Sequence, residues 1–218
     1  MSAIFRLDRL ARALYNAEGQ RWDAMARGWR DSEEPFAAGQ DARTEPVDAV
    51  AAVTWLQRES GYPIRMPIGV IGPREATQTQ LTAAEAVGSG LAAMGLAIIC
   101  GGREGVMEAA CRGVARQGGL AIGILPDTDP RLANSHVTIA LATGLGEARN
   151  AVIARAALAL IAIGDSYGTL SEVAFGLHFG KRVIGLEGAA RISGIDQLGS
   201  VDAALGAIAL DVLVNRHD

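Results

Sequence analysis

The stretch "LAIICGGREGVMEAACRGVARQGGLAIGIL", residues 96–125, decides the fold. A short apolar run, "LAIIC", stops at two glycines. A helix-length segment follows over about 104–117, and "QGG" closes it, as glycine does at helix C-termini. A second apolar run, "LAIGIL", then begins. Strand, helix and strand in that order form a βαβ unit, with a right-handed crossover and a parallel strand pair.

The same alternation extends in both directions. Apolar runs recur as "PIGVIG" (67–72), "VTIAL" (137–141), "LALIAI" (158–163) and "RVIGL" (182–186). Helix-length segments lie between most of them, over about 77–94, 146–157 and 170–180, and a last helix is expected over 200–213. Strands alternating with helices predict an α/β protein with a mostly parallel sheet of six or seven strands. The expected architecture is a three-layer, Rossmann-like fold. In such sheets ligands bind outside the carboxyl ends of the strands, near the switch point. The loops after the strands are therefore the candidate site.

The first 62 residues are different in kind. Residues 1–45 hold 15 of the 44 charged side chains, and seven of the ten aromatics lie at or before Tyr62, including Trp22, Trp29 and Trp55. Ile4, Leu7, Leu10, Ala11 and Leu14 recur at helical spacing, which predicts a helix over 3–17. "RDSEEPFAAGQDARTEPVD" reads as an irregular linker, and "VDAVAAVTWLQRESG" as a helix ending at Gly61. The expected division is a helical N-terminal arm, 1–62, and a nucleotide-binding domain, 63–218. Packing accounts for the tryptophans better than base-stacking, which needs a basic surface.

The chain has 218 residues, 27 of them glycine, and a net charge of −4. That charge gives no electrostatic footprint for nucleic acid or an anionic membrane. Cys100 and Cys111 stand in no metal-binding pattern and suit a reducing compartment. The N-terminus lacks an apolar signal region and no run is long enough to span a membrane, so a cytoplasmic location is expected. No metal or redox cofactor is called for. His136 and His178 read as structural.

Four loops carry the candidate residues. After the first parallel strand, Gly72 and Pro73 precede Arg74, a solvated charge or an anion ligand, and Thr77 with Gln80 fits a capping box. In the second loop Gly101, Gly102 and Gly105, with Arg103, serve tight turning or close approach of backbone to a ligand. The spacing departs from G-x-G-x-x-G, so no dinucleotide fingerprint is present. Met107 reads as core. In "TGLGEARNAVIARAA", 143–157, Arg149 stands where a helix dipole disfavours a cation. It pairs either with a ligand anion or structurally, with Glu147 or another acid. The fourth loop is "IGDSYGTLSEVAFG", 163–176. Gly164, Ser166, Tyr167, Gly168 and Thr169 sit where a helix N-terminus can hold a phosphate, with Asp165 as an opposing charge. Thr169 and Glu172 are spaced as a capping box, so Glu172 either caps the helix or faces a ligand.

At "GGREGVMEAA…GILP…TGLGEARN…GTLSE" the sequence resembles the Lonely guy, or lysine-decarboxylase-like, Rossmann family, over about residues 66–187. Many of its members are phosphoribohydrolases that release the base from cytokinin riboside 5′-monophosphates. A related branch includes molybdenum-cofactor carrier proteins. In the hydrolase signature Pro-Gly-Gly-x-Gly-Thr-x-x-Glu, this chain keeps Gly168, Thr169 and Glu172 and has Gly164, Asp165 and Ser166 for Pro-Gly-Gly. The family's Arg-Lys pair is Arg149-Asn150 here.

The resemblance implies a nucleoside 5′-monophosphate phosphoribohydrolase. Glu172 would stabilise positive charge on the ribose, as in oxocarbenium-like transition states, and Arg149 would hold the phosphate or assist the leaving base. The alternative it implies is a non-catalytic carrier or sensor for a phosphorylated nucleotide or molybdopterin-type ligand. A third reading is an assembly protein acting through its aromatic N-terminus. A homodimer or higher homo-oligomer is expected, with Ala109, Ala110 and Gly113, or Ala174 and Gly176, as small faces for close helix packing.

Overall fold

A computed structural model describes residues 5–31 and 43–213. It divides into two units, Met1–Ile64 with Gly206–Asp218, and Arg65–Leu205.

The N-terminal unit corrects the expected helical arm. It holds β1 (Phe5–Asp8), β2 (Ala13–Tyr15), β3 (Arg21–Asp23), β4 (Gly28–Arg30), β5 (Glu45–Val47) and α1 (Ala49–Arg58). The strands form an antiparallel sheet in the order β4-β3-β2-β1-β5. The helical spacing over 3–17 came from a hairpin. Its register pairs Leu7 with Leu14, both buried. Two residues seven apart and symmetric about a turn face each other, so a hairpin imitates two helical turns. Leu10, assigned to the apolar stripe, is instead 93% exposed at the hairpin turn.

The tryptophans pack within this unit. Trp22 meets Trp29 edge-on with centroids 5.1 Å apart, and Trp29 stacks on Phe5 at 5.7 Å. Trp29 Nε1 donates to the Leu213 carbonyl at 2.7 Å. Most of the expected linker, 32–42, lies outside the described residues, and its end forms β5.

The central unit follows the expected alternation. Its elements are β6 (Ile68–Ile71), α2 (Gln78–Ala93), β7 (Ile98–Cys100), α3 (Val106–Arg116), β8 (Ala121–Leu125), β9 (Ile139–Ala142), α4 (Arg149–Ala156), β10 (Leu160–Ile163), α5 (Tyr167–His178), β11 (Val183–Leu186) and β12 (Ile195–Gln197). The last helix is α6 (Val201–Leu213). Every pairing is parallel, in the order β12-β11-β10-β6-β7-β8-β9. β12 escapes sequence reading because "IDQ" is short, polar and mostly exposed. The strands β6, β7, β10 and β11 are buried throughout, as the central strands of a covered parallel sheet must be.

Glycine sets the spacing of the helix layer. A Cβ on Gly88 would run into the Ala110 carbonyl, and one on Gly113 into the Glu85 carbonyl, so α2 and α3 touch backbone to backbone. The small face Ala109–Ala110–Gly113 is thereby buried within the subunit, and Gly176 packs against Leu160. Among these candidates for subunit packing, Ala174 is exposed. Thr77 caps α2 with Gln80 in the expected capping box. The thiols of Cys100 and Cys111 are free and buried, with Sγ atoms 3.6 Å apart. The chain runs outward from β6 through β7, β8 and β9, then returns to place β10 on the other side of β6. The switch point is therefore between β6 and β10.

Candidate functional site

Arg149, which follows the edge strand β9, and Glu172, on the helix after β10, come together. A 3-10 turn, Gly146–Ala148, leads into α4, whose first residue is Arg149. The expected single helix over 146–157 is thus a tight turn followed by a shorter helix. Glu172 lies on α5, which packs against α4. Arg149 Nη1 donates to Glu172 Oε1 at 3.1 Å, with side-chain exposures of 6% and 7%. The partner of Arg149 is therefore Glu172 rather than Glu147.

Glu172 does not cap its helix. The cap is Ser166, whose extended backbone lets Oγ accept from Thr169 N at 3.1 Å. Thr169 is the third helical residue and is buried, with its hydroxyl 2.8 Å from Ser166 Oγ. The Thr169–Glu172 capping box is therefore overturned: α5 starts two residues before Thr169, which leaves Glu172 in the second turn. Burial pushes its carboxyl up to about 7. Arg149 opposes that rise and Glu147 adds to it.

The floor under Arg149 is the loop after β7. A Cβ on Gly101 would lie 2.5 Å from Arg149 Nη2 and 2.8 Å from Met107 Sδ, so only glycine lets the guanidinium rest there. Gly105, at φ +73, abuts the carbonyls of Pro73 and Arg74. Gly102, at φ +70, sits against Gly123, and Asn134 pins this loop with two donated bonds, its backbone N–H to Gly102 O at 2.9 Å and its Nδ2 to Arg103 O at 3.0 Å. Arg103 itself pairs with Asp127. Gly72 abuts Val106 and the Ile163 carbonyl, closing the sheet end between β6 and β10. Arg74 is exposed.

The loop after β10 is more open. Gly164, at φ +71, turns the chain and abuts the Gln80 amide. Gly168 is exposed, and a Cβ there would meet only Ser166 Oγ, at 3.7 Å. Tyr167 is 94% exposed, and Asp165 is also exposed. The first turn of α5 thus keeps room for a ligand in front of it, with the positive end of the helix dipole behind.

Asn150 is the residue sequence reading passed over. In the sequence it stands out only as a departure from lysine, yet it is buried and joins the two helices. Its Nδ2 donates to Ser171 Oγ at 2.7 Å, and Ser171 Oγ donates to Gly168 O at 2.7 Å. Three buried polar atoms around the site have no hydrogen-bond partner among the described residues: Arg149 Nε, Asn150 Oδ1 and Arg103 Nε. Buried polar groups are normally satisfied, so these mark unused hydrogen-bonding capacity. An asparagine beside Arg149, in a helix with three alanines, is the signal that the sequence offers. His136 is half-buried, and His178 is exposed against the Phe179 ring. No group of three or more His, Cys, Asp or Glu is placed to hold a metal among the described residues, and none of their helices is long and apolar enough to cross a membrane.

Several known proteins are similar to this chain. The molybdenum cofactor binding protein of Rippkaea orientalis is 38% identical, with a TM-score of 0.55 over 69% of this chain and 89% of its own. The molybdenum cofactor carrier protein of Chlamydomonas reinhardtii is 31% identical, with a TM-score of 0.62 over 68% of this chain and 99% of its own. A protein of Archaeoglobus fulgidus is 42% identical over 130 residues, which is 60% of this chain and 85% of that protein. The expected Lonely guy-like Rossmann family, with its carrier branch, is borne out. Residues 65–206 match the SLOG cluster4 family, and the chain belongs to that family.

Proposed function

We propose that this protein is a non-catalytic carrier or sensor of a phosphorylated, pterin-like ligand, bound outside the carboxyl ends of β7 and β10. The observation that carries the reading is the closed Arg149–Glu172 pair. The two side chains bond each other in a buried setting. The Pro-Gly-Gly element of the hydrolases is replaced by Gly164-Asp165-Ser166. The likeness to the two molybdenum-cofactor proteins supports the same reading.

The residues present fit such a cargo. The first turn of α5, from Ser166 to Gly168, offers backbone N–H groups to a phosphate. Asn150 Oδ1 is a spare acceptor and Arg149 Nε a spare donor for a ring that carries both kinds of group. Arg74, Arg103 and Tyr167 stand farther out as charge and surface around the same strand ends. We assign this binding to the domain from about residue 63 onward, and a homodimer or higher homo-oligomer as its assembly, which size-exclusion chromatography with light scattering tests.

Calorimetric titration with the molybdenum cofactor and, separately, with AMP tests the carrier reading. Saturable pterin binding without adenine release supports it. No binding of either compound removes it. The phosphoribohydrolase reading keeps one observation in its favour, because a carboxyl held at about 7 is poised for proton transfer at neutral pH. Adenine release from AMP that disappears in Glu172→Ala would establish that second reading instead.

A further inference from the structure

The N-terminal unit contains a cavity of about 820 Å³ that the SLOG cluster4 match, which begins at residue 65, does not include. Its volume falls in the range of about 300–1,000 Å³ usual for small-ligand sites. Trp22 and Trp55, 8% and 5% exposed, line its base. Tyr15 and Tyr62 stand at the wall, and Tyr62 is 59% exposed.

The charges at the rim do not cancel. Arg30 is neutralised by Asp23 at 2.8 Å, and Asp31 is engaged by Gln20 Nε2 at 3.1 Å. Arg12 contacts only the Glu59 backbone carbonyl, and Arg21 has no carboxylate partner among the described residues. Arg12 is held at the cavity by the hairpin turn, with φ +51. A non-glycine residue in that conformation is uncommon and needs a surrounding structure that fixes it. Two guanidinium groups without carboxylates therefore overlook a floor of aromatic rings.

We propose that this cavity is a second binding site, for a flat aromatic small molecule carrying a carboxylate, sulfonate or phosphate. The ring system stacks against the tryptophan and tyrosine side chains. The anionic group takes charge-assisted hydrogen bonds from Arg12 and Arg21. The site is independent of the pterin-like ligand assigned to the central unit.

The full chain suits a direct test, because all three tryptophans lie in the first 62 residues and the matched domain has none. The probe is 8-anilinonaphthalene-1-sulfonate, an anion with a flat naphthalene ring, read by its own fluorescence and by tryptophan quenching. The uncharged N-phenyl-1-naphthylamine is the control. Saturable binding of the anionic dye is expected. Arg12→Gln with Arg21→Gln should weaken it about tenfold or more, the loss of one to two charge-assisted contacts. The uncharged dye should change less than about twofold, since its stacking contacts remain. Arg12→Lys with Arg21→Lys should recover most of the anion affinity. No saturable binding to the native chain, an unchanged affinity in the Gln double variant, or equal loss of both dyes would overturn the proposal. So would displacement of the dye by a thymidine oligonucleotide but not by small aromatic anions.

Discussion

Two glycine loops of the same sheet, 101–105 and 164–168, are indistinguishable as punctuation in the sequence yet face different things. The glycines of the first are filled against protein: Gly101 against Arg149, Gly102 against Gly123, Gly105 against the carbonyls of Pro73 and Arg74. The last glycine of the second, Gly168, faces almost nothing. Glycine in the first loop is an internal packing device. In the second it keeps the front of a helix clear. A site built this way has a rigid floor beneath Arg149 and an open wall at α5.

The sharpest way to break that contrast is Gly105→Ala. At φ +73, with two carbonyls in the way of a Cβ, the change should cost about 4 kcal/mol or more. Chemical denaturation measures it. A cost below about 1 kcal/mol would show that the floor can shift.

Next in size is the pair that rests on this floor. Glu172→Ala leaves a buried guanidinium that cannot lose its charge, and should destabilise by about 3 kcal/mol. Arg149→Ala should cost less, because Glu172 can take up a proton. The deficit of Arg149→Ala should also shrink as pH is lowered from 8 to 5. Equal costs at all pH values would mean that the two groups are not a desolvated pair.

A smaller effect follows from the raised carboxyl. The native state holds the Glu172 proton up to about 7, against an ordinary value of 4.5. Its contribution to stability is therefore full below about pH 4.5 and is lost as pH rises toward 7. Comparing the pH dependence of unfolding in the native chain and in Glu172→Gln isolates a slope worth about 1 to 3 kcal/mol across that window. A variant that keeps the native slope would place the titration elsewhere.

Gly168→Ala should have the least effect on stability, and in the opposite direction. A helical alanine replaces a helical glycine in open space, a gain of up to about 1 kcal/mol. The same methyl group stands in front of the α5 N–H groups, so affinity for a phosphorylated ligand should fall. Unchanged affinity would move the phosphate to another loop.

Much of this protein was legible before any coordinates. The alternation from residue 66 onward fixes the parallel sheet, and the Thr77–Gln80 cap is local enough to read directly. The strand-end loops could be singled out because ligand sites in such sheets occur there. The N-terminal unit was misread because Leu7 and Leu14 satisfy both a helix and a hairpin, and the pairing of distant strands carries no local mark. β12 was missed because only its neighbour β11 makes it a strand.

Sequence alone therefore determined the α/β alternation, the glycine loops and the presence of a guanidinium and a carboxylate among them, since periodicity and capping depend on residues a few positions apart. Tertiary structure alone decided that Glu172 holds Arg149 and not its own helix, that Asn150 joins α4 to α5, and that one glycine loop is filled while the other stays open. Those outcomes depend on which chain segments meet across the sheet, and the energy of a buried charge depends on everything that excludes water from it.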